Sequence, residues 1–218
     1  MSIRKKILAI SIGPVLVLGV ITLLFMLTMV KSSLMDEVQD ALKGTAAATL
    51  AAYDQNTGDY LESTNGDIWK GSYNISKSES LVGRIKENTG MDVTFFYGNK
   101  RIMTSALDKK GNRILGSEAG ERVVNQVIKG KKPFFSTNVS LDGTRNYGYF
   151  IPVYQNGTTD QVIGMVFVGT NKARKDAIVN KILGSIMMAL LVVMLLCIVT
   201  AMRMAASISK NIKNSVAV

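Results

Sequence analysis

The chain has 218 residues, enough for one or two domains with their own cores, and its 26 Lys and Arg against 16 Asp and Glu give a net charge of +10. It contains no histidine, which excludes a Ser-His-Asp triad, a histidine general base and a histidine metal site. Its one cysteine, Cys197, lies inside an apolar run, so we expect no disulfide framework, no cysteine zinc site and no cofactor.

The excess positive charge is concentrated at the two ends of the chain. Residues 1–30 and 182–218 contain basic side chains and no acid, whereas residues 31–181 are close to balanced. The basic residues at the ends are Arg4, Lys5, Lys6, Arg203, Lys210 and Lys213. A nucleic-acid surface needs basic side chains clustered on one face of a domain. We therefore expect membrane flanks and no nucleic-acid partner.

Two long apolar runs predict transmembrane helices. Residues 7–30 carry no charge and would span ~36 Å as a helix, enough to cross a hydrocarbon core of ~30 Å. The alternative is a cleaved signal peptide, but those have apolar cores of roughly 7–15 residues and a small-residue cleavage site. The second run, residues 182–202, ends at Arg203. We predict an uncleaved anchor followed by a second span.

The charges that flank the spans predict the orientation. The three basic residues before the first span place residues 1–6 in the cytoplasm, and two crossings return residues 203–218 there. Lys172, Arg174, Lys175 and Lys181 argue the other way, but charges in such a long loop have little influence on topology. Residues 31–177 are therefore predicted to form an extracytoplasmic domain.

The first half of that domain is predicted to be helical and irregular. Apolar and small residues recur every three or four positions after the first span, which predicts an amphipathic helix that continues it outward. They are Leu34, Val38, Ala41, Thr45, Ala48 and Ala52, with Leu42 and Ala46 alongside. This helix packs either on a second copy or on its own domain. Residues 54–77 are interpreted as short helices and loops, and residues 78–88 as a helix that Gly90 stops.

The second half is predicted to form an antiparallel sheet. From Met91 onward the apolar residues alternate, with turns at Gly98-Asn99 and Asp142-Gly143. The predicted strands are 93–97, 101–104, 134–141, 144–154 and 161–169, with a helix over 119–128 followed by Gly130. The fold class is α+β, with a long N-terminal helix and about five antiparallel strands, framed by two transmembrane helices.

Several of these segments resemble one known family. Residues 94–105 (TFFYGNKRIMTS) resemble the first hairpin of single Cache domains of the type 3 group, and residues 149–153 (YFIPV) and 163–169 (IGMVFVG) resemble its last two strands. Gly116, Val124, Gly130 and Lys131 resemble its middle helix and exit. The resemblance implies a PAS-like fold that senses ligands in bacterial chemoreceptors (methyl-accepting chemotaxis proteins) and some sensor kinases. It also implies a homodimer in the bacterial plasma membrane.

The stretch after the second span resembles another signalling element. Residues 208–212 (ISKNI) resemble the opening of a HAMP linker, although Asn211 stands where that family usually has proline. Few residues follow, so we expect either a fragment of a receptor or a product without an output domain. A chemotaxis kinase and adaptor would act only through such a domain. The choice between a chemoreceptor, a histidine kinase and a cyclase therefore stays open.

The resembling hairpin supplies most of the candidate ligand-binding residues. Arg101 opens its second strand, and a guanidinium offers forked donors that suit a carboxylate; the alternative is a solvated or salt-bridged arginine at a strand edge. Thr104 and Ser105 would add hydroxyl donors, and Phe96 completes the hairpin set.

Two aromatic pairs extend the candidate set. Tyr147 and Tyr149 share a strand face and either reach the pocket or pack in the core. Trp69 and Tyr73 form either a lid or ordinary packing.

Three functions from different classes remain at this point. The first is a membrane-bound receptor module that binds a small extracellular molecule such as a carboxylate. The second is a membrane-anchored scaffold without a ligand. The third, a hydrolase using carboxylates, ranks last because Asp92, Asp108, Glu118 and Asp142 show no spacing that predicts convergence. We expect no enzyme activity and no metal site.

Overall fold

The computed structural model describes residues 3–216. This range begins with one long helix and ends with another. Helix α1 runs over Ile3–Asp54 and helix α4 over Lys172–Val216. Each contains a stretch long and apolar enough to cross a membrane. Their apolar side chains are exposed, as the surface of a helix in lipid would be, with Leu18, Phe25 and Leu196 more than half exposed.

The described chain divides into two compact units. Residues 36–176 form one, and the terminal segments, up to residue 35 and from residue 177, form the other. Within the terminal unit Gly19 lies against the side chain of Met194, so α1 and α4 pack closely there. The predicted spans 7–30 and 182–202 lie within these helices. The HAMP-like stretch continues α4 as far as Val216, and residues 1–2 and 217–218 lie outside the described residues.

The outward continuation of α1 is confirmed, and the side that packs on the domain includes only part of the predicted apolar face. Val38, Leu42, Ala46, Thr49 and Tyr53 are buried against the domain, whereas Ala41 and Ala48 of the predicted apolar face are exposed in the single chain, so packing of these two on a second copy stays a prediction. The large side chains of Leu42 and Tyr53 bury more apolar area than the alanines. They therefore decide which face of the helix packs on the domain.

The interpretation of residues 54–77 as short helices and loops missed three short strands. They form a small antiparallel sheet of β1 (Tyr60–Glu62), β2 (Ile68–Lys70) and β3 (Tyr73–Asn74), followed by a 3₁₀ turn over Ile75–Lys77. Strands of two or three residues are too short to show a period of two in the sequence.

The following helix and hairpin agree with the sequence. Helix α2 covers Glu79–Thr89, and Gly90 ends it with φ of 68°, its N–H bonding Lys86 O at 2.7 Å. Strands β4 (Asp92–Tyr97) and β5 (Lys100–Thr104) pair around Gly98, whose φ is 55°.

The middle helix is shorter and less regular than predicted. Helix α3 covers Glu121–Val123, and the chain then continues as a π-helical turn over Val124–Lys129. Gly130 keeps a right-handed φ of −80° and the left-handed residue is Lys131. A glycine is still required at 130, because a Cβ there would lie 2.6 Å from Gln126 O.

Three long strands complete a five-stranded antiparallel sheet, as predicted. They are β6 (Phe134–Leu141), β7 (Thr144–Tyr154) and β8 (Val162–Asn171), and the sheet order is β5-β4-β8-β7-β6. The turn between β6 and β7 has positive φ at Asp142 (45°) and Gly143 (77°), as a type I′ hairpin requires. The last strand, β8, lies in the middle of the sheet and leads directly into α4.

The two faces of the sheet have different coverings. Phe95 lies on the face toward α1, where its ring centroid is 5.2 Å from that of Tyr53. Phe96, Phe150, Met165 and Phe167 belong to a buried cluster on the other face. That second face carries the candidate site.

Candidate ligand-binding site

A row of five side chains runs across the second face of the sheet. The strand register aligns Phe134 with Phe150, Phe150 with Phe167, Phe167 with Thr94, and Thr94 with Thr104. Aligned residues of neighbouring strands project from the same face. The row therefore has three rings on β6, β7 and β8 and two threonines on β4 and β5.

The three rings are in contact. The centroids of Phe134 and Phe150 are 6.5 Å apart, and those of Phe150 and Phe167 are 4.7 Å apart. Gly148, two residues before Phe150, leaves space for this arrangement, because a Cβ there would lie 2.5 Å from the Phe167 ring and 2.8 Å from Val139 Cγ2.

A cavity of about 520 Å³ lies over these rings. Its volume falls within the roughly 300–1,000 Å³ of small-molecule sites. Besides the rings, its lining comprises β6 over its whole length, residues 118–120, 122 and 123, and Phe96 and Arg101. Strand β6 bulges between Ser136 and Val139, so Thr137 and Asn138 line the cavity without partners in the β7 register.

Arg101 is a buried, largely unpaired cation in this lining. The residue is 8% exposed, and its Cζ lies 5.4 Å from the ring centroid of Phe96, its cross-strand neighbour. Its Nη1 donates to Ile114 O at a long 3.4 Å, and its buried Nε has no hydrogen-bond partner in the part of the chain that the structure describes. No carboxylate among residues 3–216 forms an ion pair with it. Burial lowers the pKa of Arg101, an effect that the charge of Asp92 partly opposes.

The backbone around Arg101 fixes its place. Its N–H donates to Ser117 O and its carbonyl accepts from the N–H of Gly116, each at 2.9 Å. These bonds lay the 113–119 segment along the outer edge of β5. The same segment then delivers Glu118 to the rim of the cavity. Arg122, on the short helix that follows, is exposed at the rim with its Cζ 5.4 Å from the Phe134 ring centroid.

Two of the eight predicted site residues, Phe96 and Arg101, line the cavity. Thr104 and Ser105 do not, because their hydroxyls bond within the sheet. Thr104 Oγ1 lies 2.7 Å from Thr94 Oγ1 and accepts from the N–H of Ala106 at 3.1 Å. Ser105 Oγ accepts from the N–H of Val93 at 2.9 Å and donates to Asp92 at 3.1 Å.

The predicted tyrosine pair lies on the other face of β7. Tyr147 stacks on Phe135 with centroids 6.3 Å apart, and its hydroxyl donates to Asp176. Burial and the charge of Asp176 raise the pKa of Tyr147 to about 12. Tyr149, two residues further along β7, is buried on the same face as Tyr147. Neither tyrosine belongs to the cavity lining.

Trp69 and Tyr73 also lie away from the cavity. They belong to the small sheet, where Trp69 pairs with Asn74 and the Tyr73 ring packs against Tyr53 at 6.2 Å. A ligand-binding role for these residues, for the tyrosine pair and for the two hydroxyls stays a prediction.

Sequence reasoning missed the row of rings. Phe134, Phe150 and Phe167 lie in three strands that were predicted correctly, but no local pattern aligns them. The pairing of β6 with β7 could have been predicted in part, because counting residues outward from the Asp142-Gly143 turn gives the expected partner of each position. The bulge between Ser136 and Val139 shifts this pairing by one residue, so the count would have placed the wrong residue opposite Phe150.

Comparison with known proteins places this chain in one family. The family model described as single cache domain 3 matches residues 73–182, and the chain belongs to that family. The protein is thus a single Cache domain, a sensor domain of α+β fold, between two apolar helices. No curated protein matches the chain.

Two solved structures are similar at low identity. One is an extracellular ligand binding receptor from Desulfohalobium retbaense DSM5692, with a TM-score of 0.48 and 15% identity over 69% of this chain and 26% of that one. This chain therefore spans about a quarter of that receptor's length. The other is the E. coli DcuS sensor domain, with a TM-score of 0.39 and 13% identity over 70% of this chain and 98% of that one.

Proposed function

We propose that the protein is the sensor region of a two-pass membrane receptor that binds a small carboxylate at Arg101. The observation that carries this proposal is the buried guanidinium in the cavity wall, whose Nε has no hydrogen-bond partner among the described residues. An isolated buried charge is costly. A bound carboxylate removes that cost by accepting the forked donors of the guanidinium.

Binding at this place has a direct route to the membrane. The cavity touches Phe167 on β8, and β8 passes from Asn171 into α4 at Lys172 without a connecting loop. A ligand that binds one position of β8 better than another shifts the equilibrium between them. The strand would carry that shift into the second apolar helix.

The orientation, assembly and output belong to the same proposal. The domain is extracytoplasmic, both ends of the chain are cytoplasmic, and the receptor acts as a homodimer of the chemotaxis type. A histidine kinase or cyclase output is the alternative. The role is binding and not catalysis, because Glu118 is the one acid among the described residues of the cavity lining and carboxylate-based hydrolysis takes a pair.

The test is ligand binding by the full chain in lipid nanodiscs. Thermal shifts are recorded with a panel of organic acids, amino acids, amines and purines. A ligand at about 100 times its dissociation constant stabilises the folded state by roughly 2.7 kcal/mol. We expect carboxylates to shift the midpoint, and Arg101→Gln to weaken the best of them at least about tenfold.

Arg84→Gln is the matched control. Arg84 is an exposed arginine on α2 outside the cavity lining, so its loss removes the same charge without touching the site. A well-folded protein that no carboxylate stabilises, or a carboxylate whose affinity is the same in Arg101→Gln as in the control, would overturn the proposal.

A further inference from the structure

We infer that the ligand is a monocarboxylate with an apolar ring or branched chain as its body, and not a short dicarboxylate or an inorganic anion. This inference rests on the proposed binding of a carboxylate at Arg101. It comes from the order in which the charged and apolar groups line the cavity.

The apolar part of the cavity consists of Phe96 and the row of three rings, which belong to one buried cluster or pack against it. Phe96 is the cross-strand neighbour of Arg101, and the rings of Phe167, Phe150 and Phe134 follow across β8, β7 and β6. Phe134 at the far end is only half-buried, so ring surface is left for a ligand to cover. An apolar body over these rings is removed from water, whereas a small anion such as acetate or phosphate leaves them uncovered.

The cationic groups lie at opposite ends of this surface. The Arg101 guanidinium lies against Phe96 on β4, and the Arg122 guanidinium lies against Phe134 on β6. In the sheet order, β4 and β6 are three strand spacings apart, or about 14 Å. A four-carbon dicarboxylate has only three C–C bonds of ~1.5 Å each and is therefore short compared with the ~14 Å between these strands.

A short dicarboxylate at Arg101 would therefore place its second charge over phenylalanine rings. That carboxylate would lose water without gaining a cation as its partner, which is unfavourable. The other charged side chain of the lining, Glu118 at the rim, repels it. One anionic group beside Arg101 and an uncharged body along the rings is the combination that leaves no buried charge unpaired.

The probes separate the two parts of the ligand. The full chain in nanodiscs is titrated by calorimetry with 3-phenylpropionate, propionate, 3-phenylpropionamide, succinate and inorganic phosphate. We expect 3-phenylpropionate to bind at least about tenfold more tightly than propionate, which lacks the ring, and succinate, which adds a charge. We expect the amide to bind at least about tenfold more weakly than the acid, because it is neutral.

Two variants assign these differences to residues. Phe134→Leu shortens the aromatic row at its half-buried end and keeps an apolar side chain there, and it should weaken 3-phenylpropionate about fivefold or more. It should leave propionate unchanged, since that molecule does not reach β6. Arg101→Gln should weaken both acids, and Arg84→Gln neither.

The outcomes distinguish this inference from the function on which it rests. Tighter binding of succinate or phosphate than of 3-phenylpropionate, with dependence on Arg101, would overturn the inference of an apolar monocarboxylate. It would leave intact the proposal that the domain binds an anion at Arg101. Equal binding of the acid and its amide would overturn the inference, because the carboxylate then contributes nothing at Arg101. If none of the probes and no other carboxylate binds, both proposals fail.

Discussion

The hydroxyl of Tyr147 on β7 donates a hydrogen bond to Asp176 in α4. Lys172, at the start of the same helix, donates to that hydroxyl at 3.2 Å and lies 4.4 Å from the centre of its ring. Since β8 leads into α4, the helix start is held by two neighbouring strands, through the chain from β8 and through a side chain from β7. Tyr147 thus ties the strand that carries Phe150 to the helix that would carry the signal.

Removal of this hydroxyl should loosen the tie without altering the cavity. We expect Tyr147→Phe to lower the free energy of unfolding by about 1–2 kcal/mol, because Asp176 and Lys172 lose a buried partner. Ligand affinity should change less than twofold, since Tyr147 does not line the cavity. Chemical unfolding of the full chain and calorimetry measure the two quantities.

Tyr154→Phe is the matched control for that experiment. The Tyr154 hydroxyl donates to Lys131 O at 3.2 Å in an exposed position, so its loss should matter by no more than a few tenths of a kcal/mol. Equal destabilisation by the two substitutions would contradict the role given to Tyr147.

Alkaline pH should destabilise the domain through its tyrosines. Unfolded tyrosine titrates near pH 10, while burial and the charge of Asp176 raise the pKa of Tyr147 to about 12 in the folded protein. Burial also raises the pKa of Tyr53 and Tyr60. A raised folded-state pKa means that the stabilisation is complete below pH 10 and declines as the pH rises toward 12 and beyond.

The measurement is the free energy of unfolding between pH 8 and pH 12, with tyrosinate absorbance recorded in parallel. We expect Tyr147→Phe to show a shallower decline than the unmodified chain above pH 10, because one of the three titrations is gone. Identical slopes for the two proteins would show that Tyr147 titrates normally.

Two glycine-to-alanine changes should have opposite signs. At Gly148 a Cβ would lie 2.5 Å from the Phe167 ring and 2.8 Å from Val139, so Gly148→Ala should cost about 1–3 kcal/mol and displace a ring from the cavity floor. At Gly83, inside α2, nothing lies within 4 Å of the added Cβ, and Gly83→Ala should stabilise by about 0.5–1 kcal/mol. Thermal unfolding of both variants tests these predictions. An unchanged melting temperature for Gly148→Ala would contradict the close packing of Phe167 and Val139 against Gly148.

A buried lysine holds the small sheet to the end of α1. Lys70 is 2% exposed, with its Nζ 3.7 Å from Asp54 and 4.3 Å from the centre of the Tyr60 ring, and the Tyr60 hydroxyl donates to Asp54 at 2.8 Å. Lys70→Met keeps the packed stem and leaves behind a carboxylate that water reaches, so it should cost less than about 1.5 kcal/mol. Asp54→Ala leaves the buried ammonium without its counter-charge and should cost about 3 kcal/mol.

Chemical unfolding of these two variants checks that asymmetry. We expect Asp54→Ala to destabilise the protein more than Lys70→Met. The opposite result would mean that water reaches the Lys70 ammonium in solution, and it would contradict the buried ion pair. Lys70→Ala, which removes the stem as well, should be more destabilising than Lys70→Met by about 2 kcal/mol.

The larger sheet could be predicted from alternating apolar residues and turn residues. The small sheet and the buried side of α1 depend on packing between distant parts of the chain and could not. Gly98-Asn99 and Asp142-Gly143 mark tight turns by their own preferences, so both hairpins followed from a few residues. The small sheet was missed because its strands pair over too few residues to leave a pattern. The buried stripe of α1 depends on which side chains meet Phe95, which no helical period reveals.

The candidate site divides in the same way. Arg101 was found because it opens a recognisable hairpin, whereas its missing partner could be seen only in the folded structure. Thr104 at the end of β5 and Ser105 just after it carry suitable hydroxyls, but these hydroxyls already form hydrogen bonds with Thr94 and Asp92 of the neighbouring strand. The bulge at Ser136 brings Phe134 opposite Phe150, where an uninterrupted hairpin would bring Phe135.

The central place of β8 also has a mechanical consequence. Hydrogen bonds hold this strand to β4 along one edge and to β7 along the other. A force applied through α4 along the strand axis therefore loads both ladders in shear, so that many bonds share it and none opens first. The sheet would resist such a pull as a rigid plate, and a small displacement at the cavity would reach α4 without being absorbed by stretching of the strand.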